Sequence, residues 1–363
     1  MKKIVFIHLL NNFSGSPKVL STIIRSLSEK YEIDLLTSQS IGFLSDIERV
    51  NYKNNFYKWT NSKLTTTFWL FVSQIVIFFK ILFYRKENTI FYVNTILPTG
   101  AVLACKISGK KMIWHIHEDI NRKSLLYRLL KKNYAKYNEK TIFVSQYLQE
   151  ITENTKESAV IYNCLDDDFI RQRDLYFSLP DTSTSLSNRE EKNTILFVGS
   201  LRKYKGVDEF TKLARFLPDY QFEMVLSASE DEIKQYFKSE LPENLTIFPL
   251  QSNLHPFYQR AKLLLQLSHP DECIETFGMT ILEAIAYGVP AIVPNVGGVI
   301  ELIDNEKNGF AVNPLDIEFV KEKIILLMQN GKIYQNFAEN ALQKSRQFDK
   351  EKMITEIEKY ISE

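Results

Sequence analysis

Ile4-Val5-Phe6-Ile7-His8-Leu9-Leu10 runs into Asn11-Asn12-Phe13-Ser14-Gly15-Ser16-Pro17 and then into a helical pattern from Val19 to Leu27. A β-rich apolar run, a loop of small residues and a helix make the first unit of a doubly wound α/β sheet. Met1-Lys2-Lys3 precedes the run and no cleavage-site pattern follows it, so it reads as a buried strand rather than a leader.

Working outward, strands are predicted at Glu32–Leu36, Thr89–Val93, Met112–Ile116, Thr141–Val144 and Ala159–Tyr162, with helical stretches between most of them. Short apolar strands alternating with helices argue for a parallel sheet covered on both faces. From Asp166 to Lys192 the chain turns polar and loses periodicity, which places a boundary there. A second series follows. Its strands are Thr194–Val198, Gln221–Leu226, Leu245–Pro249, Leu263–Leu267 and Ala291–Val293. Its helices are Val207–Phe216, Glu230–Phe237, Leu254–Ala261 and Gly278–Tyr287, with closing helices from Leu315 onward. The expectation is a first domain over 1–168, a linker over 169–192 and a second domain over 193–345. A closing helix over 346–363 is expected to pack back toward the first domain. The fold expected is α/β: two Rossmann-like doubly wound domains facing each other across a cleft.

The 363 residues have room for two cores, and 45% hydrophobic with 25% charged residues excludes a disordered or collagen-like chain. Cys105, Cys164 and Cys273 form no CxxC pair, which argues against a disulfide framework or a zinc cluster and for a reducing, cytoplasmic setting. The net charge of +1 hides an asymmetry. Residues 1–165 hold 23 Lys+Arg against 12 Asp+Glu, and the remainder holds 22 against 32. One end is thus suited to an anionic surface and the other is not.

Two stretches of the basic half bear on membranes. Phe68–Tyr84 has 14 apolar residues among 17, many of them aromatic, and Thr66, Ser73 and Lys80 make a narrow polar stripe. It is too short and too interrupted for a spanning helix, and reads either as a largely buried helix or as one lying in a bilayer interface. The helical stretch Asn121–Lys140 gathers Arg128, Lys131, Lys132 and Lys136 in one arc, with Leu126, Leu129, Leu130, Tyr134 and Tyr137 opposite. It reads as a solvated helix or as a surface for anionic lipid. Without aromatic interleaving, the basic residues do not suggest nucleic-acid binding.

The chemistry is carried by Glu275-Thr276-Phe277-Gly278-Met279-Thr280-Ile281-Leu282-Glu283, continuing to Gly288-Val289-Pro290. Gly278 admits a ligand close to a helix N-terminus, where N–H groups and the dipole favour a diphosphate. Glu275 lies just outside that helix and Glu283 well inside it, so one carboxylate can hold a sugar and the other a ribose. Phe197-Val198-Gly199-Ser200-Leu201-Arg202-Lys203-Tyr204-Lys205-Gly206 is a strand, a glycine turn and a basic loop. It sets Arg202 and Lys205 to neutralise phosphates. Val296-Gly297-Gly298 follows a strand, and Lys307-Asn308-Gly309-Phe310 makes a turn. His115 and His117 share a face at the end of a predicted strand but lack a third partner for a metal. No nucleophilic triad is legible.

Together these residues resemble the retaining nucleotide-sugar glycosyltransferases of the GT-B fold, specifically glycosyltransferase family four, group 1, of the bacterial surface-polysaccharide type. The E-x7-E element, the VGS-L-R-x-x-KG loop, the GVP strand and the VGG turn stand in the family's order. Val144-Ser145, Val160-Ile161-Tyr162-Asn163 and Leu267-Ser268 are further marks. The resemblance covers most of residues 1–345.

It implies that Glu275 holds donor sugar hydroxyls, that Thr276, Phe277, Gly278, Met279 and Thr280 bind sugar and phosphates, and that Glu283 binds the ribose. Arg202 and Lys205 would stabilise the leaving diphosphate. Gly15 and Ser16 would admit the phosphates, and His117, with His115 as the alternate, would face the donor sugar. His8, Ser145, Asn163, His255 and His269 are expected to be structural. The chain departs from the family pattern at Ser200, where many members carry arginine, and in having one glycine in the first loop.

The family works without a metal or other cofactor, retains the anomeric configuration, and lets a leaving phosphate oxygen assist deprotonation of the acceptor hydroxyl. The activity implied is transfer of a hexose-type sugar from a nucleotide diphosphate sugar to a lipid-linked glycan or polysaccharide precursor, as for lipopolysaccharide or capsule. The setting implied is cytoplasmic and peripheral, on the inner face of the cell membrane. Alternatives are a soluble disaccharide-forming synthase, a GT-B sugar-nucleotide epimerase, or an inactive scaffold that binds membrane or nucleotide sugar.

Overall fold

The computed structural model describes residues 2–84, 87–121, 124–153, 155–178, 193–238 and 240–362. The chain divides into two compact units, one of residues 1–164 with 350–363 and the other of residues 165–349.

The first unit begins with strand β1 (Lys3–Ile7), helix α1 (Gly15–Leu27) and strands β2 (Glu32–Thr37) and β3 (Val50–Asn54). Helix α2 (Lys63–Leu82) leads to β4 (Thr89–Asn94), α3 (Thr99–Ile107) to β5 (Met112–Ile116), α4 (Leu125–Tyr137) to β6 (Lys140–Phe143), and α5 (Gln146–Ile151) to β7 (Glu157–Val160). The second unit contains α6 (Asp167–Ser178), β8 (Thr194–Gly199), α7 (Val207–Phe216), β9 (Gln221–Leu226), α8 (Glu230–Tyr236), β10 (Leu245–Phe248) and α9 (His255–Arg260). It continues with β11 (Ala261–Leu265), α10 (Met279–Ala286), β12 (Ala291–Pro294), β13 (Gly309–Val312), α11 (Ile317–Gln329) and α12 (Gly331–Ser345). Helix α13 (Lys350–Ser362) returns to the first unit, where Tyr360 Oη donates to Thr141 O and Lys2 Nζ to Ile361 O, both at 3.1 Å.

Each unit holds one parallel sheet. The orders are β3-β2-β1-β4-β5-β6-β7 and β10-β9-β8-β11-β12-β13. In both, the chain first builds toward one edge and then crosses back to build toward the other. The crossovers carrying α2, α3 and α4 therefore run in one direction, and right-handedness sets them on one face of the sheet. Their packing agrees: α2 lies against α3 and α3 against α4, while α1 packs on α13.

Three expectations are corrected. Residues 169–178, expected as linker, belong to helix α6 of the second unit, where Phe169 packs on His255, Tyr258 and Tyr287. The rest of that expected linker, 179–192, lies outside the described residues. The exposed edge strand β3 and the short β13 were not expected. Val50-Asn51-Tyr52-Lys53-Asn54 has no alternating pattern because both its faces are largely wet. Gly309 reads as a turn, yet its missing side chain lets β13 approach β12; a Cβ there would stand 2.2 Å from Ala291 O.

The third correction concerns α2. It is not a buried helix, for only Ser73, Ile77 and Ile81 are buried. The middle of its polar stripe faces the protein instead of water. Ser73 is fully covered, and Gln74 Oε1 accepts the Gly100 N–H at 2.9 Å. A Cβ at Gly100 would lie 2.2 Å from Gln74 O, so the glycine lets α3 press against α2. In α4, Leu130 and Tyr134 face the core as expected, but Leu126 and Leu129 are exposed beside the basic residues.

Candidate functional site

In an open α/β sheet, ligands bind beyond the C-terminal ends of the strands where the strand order reverses. In the second unit that point lies between β8 and β11, which are neighbours. The loop after β8 carries Arg202 and Lys205, and the loop after β11 carries Glu275 and leads to Gly278. Of these, Lys205 and Glu275, 70 positions apart in the sequence, meet there.

Lys205 Nζ forms an ion pair with Glu275 Oε1. The same oxygen is 3.2 Å from Gln266 Nε2 and 3.3 Å from Ser268 Oγ, both of which donate to it. Burial acts to lower the Lys205 pKa, but the Glu275 carboxylate and the adjacent Cys273 outweigh it, so the ammonium is held above its ordinary value. A cation that remains charged while largely withdrawn from water is suited to an anionic ligand.

Two glycines explain how the backbone reaches this arrangement. Gly206 closes the basic loop at φ +88°, and a Cβ there would meet Leu267 Cβ at 2.4 Å. Gly297 has φ +103°, and its Cβ would lie 2.5 Å from Glu275 O, which accepts the Gly298 N–H at 2.8 Å. The Val296-Gly297-Gly298 turn is thus a backrest for Glu275. His269 ties the loops together: its N–H donates to Tyr204 O at 2.8 Å, and its Nε2 lies 3.1 Å from Glu209 Oε2.

Helix α10 starts at Gly278 (φ +103°) without a capping side chain. Its first-turn N–H groups, at Met279 and Thr280, are therefore placed for an acceptor. Thr276 is partly exposed, whereas the Phe277 ring is buried against Phe348, so Phe277 can serve a ligand only through its backbone. Glu283 is buried and accepts the Tyr258 hydroxyl at 2.7 Å. Tyr258 belongs to an aromatic group with Phe169 and Tyr287, and Tyr287 Oη lies 2.6 Å from His255 Nδ1. Arg202 stands apart. Its side chain is exposed and its charge is felt by Glu232 on α8, whose carboxyl is held low chiefly by the Ser229 backbone and hydroxyl.

The reversal point of the first unit lies between β1 and β4. Gly15 and Ser16 open α1 after β1, with Gly15 exposed and Ser14 making no side-chain cap. His8 follows β1, Asn94 ends β4, His115 lies in β5 and His117 follows it. Asn94 joins them, donating from Nδ2 to His8 Nδ1 and accepting from His117 Nε2, both at 2.9 Å. The His115 and His117 rings stand 4.2 Å apart, and Tyr92 Oη is 2.8 Å from His115 Nδ1. Burial lowers the His8 pKa to about 4 and that of His115 to about 3. Burial, with repulsion from His115 and His8, puts His117 well below the ordinary value as well. All three imidazoles are neutral at pH 7.

Sequence reasoning missed Gln266, Tyr258 and Asn94. Gln266 carries a signal, being polar within Leu263-Leu264-Leu265-Gln266-Leu267. Tyr258 and Asn94 carry none that separates them from core residues. Among the described residues, no group of three or more His, Cys, Asp or Glu side chains is placed to hold a metal ion.

The family model for glycosyl transferases group 1 matches residues 180–344. The N-acetyl-alpha-D-glucosaminyl L-malate synthase of Bacillus anthracis is 26% identical over 58% of this chain and 54% of its own. A Campylobacter jejuni enzyme, N,N'-diacetylbacillosaminyl-diphospho-undecaprenol alpha-1,3-N-acetylgalactosaminyltransferase, is 28% identical over 45% of this chain and 42% of its own. The match spans about half the length of these curated relatives. Among solved structures, Anabaena HepE in complex with UDP and glucose superposes with a TM-score of 0.79 at 18% identity, covering all of both chains. That likeness shows the fold, which is GT-B.

Proposed function

We propose, from the premise that the second unit is a group 1 glycosyltransferase domain, that the protein transfers a sugar from a nucleotide diphosphate sugar to a lipid-linked glycan or polysaccharide precursor with retention of configuration. The observation that carries this reading is the Lys205–Glu275 pair at the strand-order reversal, one turn from the uncapped start of α10. In it, Lys205 and the first N–H groups of α10 receive the diphosphate and stabilise the negative charge that grows as the sugar–phosphate bond breaks. Glu275, oriented by Gln266 and Ser268, holds the donor sugar hydroxyls, and Glu283, steadied by Tyr258, holds the ribose. Arg202 adds positive charge from the rim once a phosphate is present. For the first unit, the family resemblance assigns Gly15 and Ser16 to phosphate and the neutral His117 to hydrogen bonding with a sugar. No metal or cofactor enters this scheme, because the chain's own cations and amides supply the electrophilic environment.

The lipid-linked acceptor is supported by the Campylobacter relative, whose name gives a diphospho-undecaprenol sugar as its acceptor. A cytoplasmic site of action is supported by three cysteines that form no disulfide with one another, two of them buried.

The test is a panel of UDP-, GDP- and dTDP-sugars incubated with the chain, with and without EDTA and a lipid-diphosphate-linked sugar. One nucleotide class should be consumed, EDTA should have no effect, and the product anomer should match the donor. Failure of every donor to bind, or an inverted product, would overturn the reading.

A further inference from the structure

We propose that the outer face of α2 seats the first unit on an anionic lipid bilayer, its aromatic stripe lying at the boundary of headgroups and acyl chains.

The stripe is continuous. Leu64, Phe68, Phe71, Ile75, Phe79 and Phe83 recur at helical spacing, and each is between 43% and 84% exposed. Soluble proteins scatter single apolar residues over their surfaces, but a row along a helix roughly 30 Å long marks a contact surface. Trp59, also exposed, extends the row beyond the start of the helix.

Charge selects the occupant. Residues 50–86 contain six Lys or Arg and no Asp or Glu. Lys58 lies over the Trp69 ring at 5.0 Å, and Lys80 over the Phe56 ring at 5.7 Å, so the rim combines cations with aromatic rings. That composition fits the interface of an anionic membrane. A second copy of this chain is disfavoured, because an isologous contact would set the same cations against each other.

Contrary to the expectation from Phe68–Tyr84 alone, the full helix Lys63–Leu82 has the length and composition to cross a membrane, but it is fastened lengthwise to the fold. Ser73, Ile77 and Ile81 are buried, and Gly100 and Gln74 lock α2 onto α3. It can therefore lie on a membrane without spanning one. Helix α4 is on the same face of the sheet, with Leu125, Leu126 and Leu129 exposed next to Arg128 and Lys132. This secondary patch supplies charge, whereas α2 supplies the apolar contact.

The inference stands apart from the acceptor reading, since vesicles without any glycan test it. The full chain is mixed with vesicles of equimolar phosphatidylglycerol and phosphatidylcholine, and both co-sedimentation and tryptophan emission are followed. Trp114 is fully buried, so a blue shift, and quenching by brominated acyl chains, report Trp59 and Trp69. We expect binding with both signals. The variant Phe68→Gln/Phe71→Gln/Phe79→Gln should lose about tenfold or more in partitioning while keeping the parent's melting midpoint. The variant Arg128→Glu/Lys132→Glu/Lys136→Glu should lose less. Absence of acyl-chain quenching in the parent protein overturns the proposal whatever the variants do. It is equally overturned if the α4 variant alone abolishes binding, or if the parent is a dimer in lipid-free buffer that the α2 variant converts to monomer.

Discussion

The two units solve the same geometric problem with opposite chemistry. Each gathers its polar residues where its strand order reverses. In the second unit a lysine and a glutamate stand in contact, and the lysine is held more firmly charged than it would be in water. In the first, three histidines are linked through Asn94 and a neighbouring ring, and burial, joined at His117 by repulsion from His115 and His8, lowers the pKa of every one of them. Under the proposed function, the charged site of the second unit has the charge for a diphosphate in place beforehand. The neutral cluster of the first unit offers hydrogen bonds without net charge. The position in the fold is shared, but the residues chosen tell the roles apart.

The sharpest way to break this comparison is to neutralise the charged side. Glu275→Gln and Lys205→Ala should each reduce turnover by about 10²–10³-fold, the range seen when one preorganised electrostatic group is removed. Because the two share one contact, the double variant should fall well short of the product of the single losses. Steady-state kinetics of the three variants on the donor identified by the panel would decide it. If Lys205→Ala keeps parental turnover, the charge pair is only a structural clasp.

The same contrast governs what the sequence reveals. Glu275 and Lys205 stand out because charged residues beside glycine turns after apolar strands are out of place in a core, whereas Glu283, mid-helix, stands out only through the E-x7-E resemblance. The contact of Lys205 with Glu275 across 70 residues follows once β8 and β11 are neighbours. The backrest role of Gly297 is not legible, because it depends on a distance to a backbone oxygen. His8 and Asn94 sit at the ends of apolar strands and look like ordinary strand residues until the sheet order puts β1, β4 and β5 side by side. The linker was misread for a related reason. Asp166-Asp167-Asp168 has the polarity of a loop, but it also opens a helix, where carboxylates favour the N-terminus. Phe169, not the charge pattern, anchors that helix. Helix α2 was ambiguous because a stripe of polar residues cannot say which way it faces. The close approach at Gly100 decides it.

Removing the Asn94 bridge should sharpen the comparison with a smaller effect. Asn94→Ala unties His8 from His117 but leaves both rings in place. Turnover should fall about tenfold, less than the roughly 100-fold attached to a 1 Å misplacement of a reacting group. The affinity for nucleoside diphosphate should stay at the parental value, because the charged groups proposed to bind it belong to the second unit. Calorimetric titration with the diphosphate beside steady-state kinetics separates the two quantities. A weakened diphosphate would show that the first unit's polar cluster shares the phosphate.

The smallest expected effect concerns pH, and it sends the units in opposite directions. His8 titrates at about 4 and His115 at about 3 in the folded chain, against 6.5 when unfolded. Between these values the unfolded state binds more protons than the folded one, so stability rises with pH there and falls on acidification. The loss begins below about pH 6.5, before ordinary carboxylates take up protons. Lys205 behaves the other way. Its folded pKa is raised, so its contribution is complete below 10.5 and is lost as pH rises through the folded value. Trp59, Trp69 and Trp114 are the three tryptophans of the chain and all belong to the first unit. Tryptophan-detected melting therefore follows that unit. At constant ionic strength its midpoint should drop on going from pH 7 to pH 5, by roughly 2–4 °C for each kcal/mol lost in a domain of this size. His8→Gln, which cannot titrate, should melt lower than the parent at pH 7 yet show a flatter pH dependence. A parental midpoint that does not move between pH 7 and pH 5 would mean that the histidines are protonated in the folded unit, and the contrast between a charged and a neutral site would fall with it.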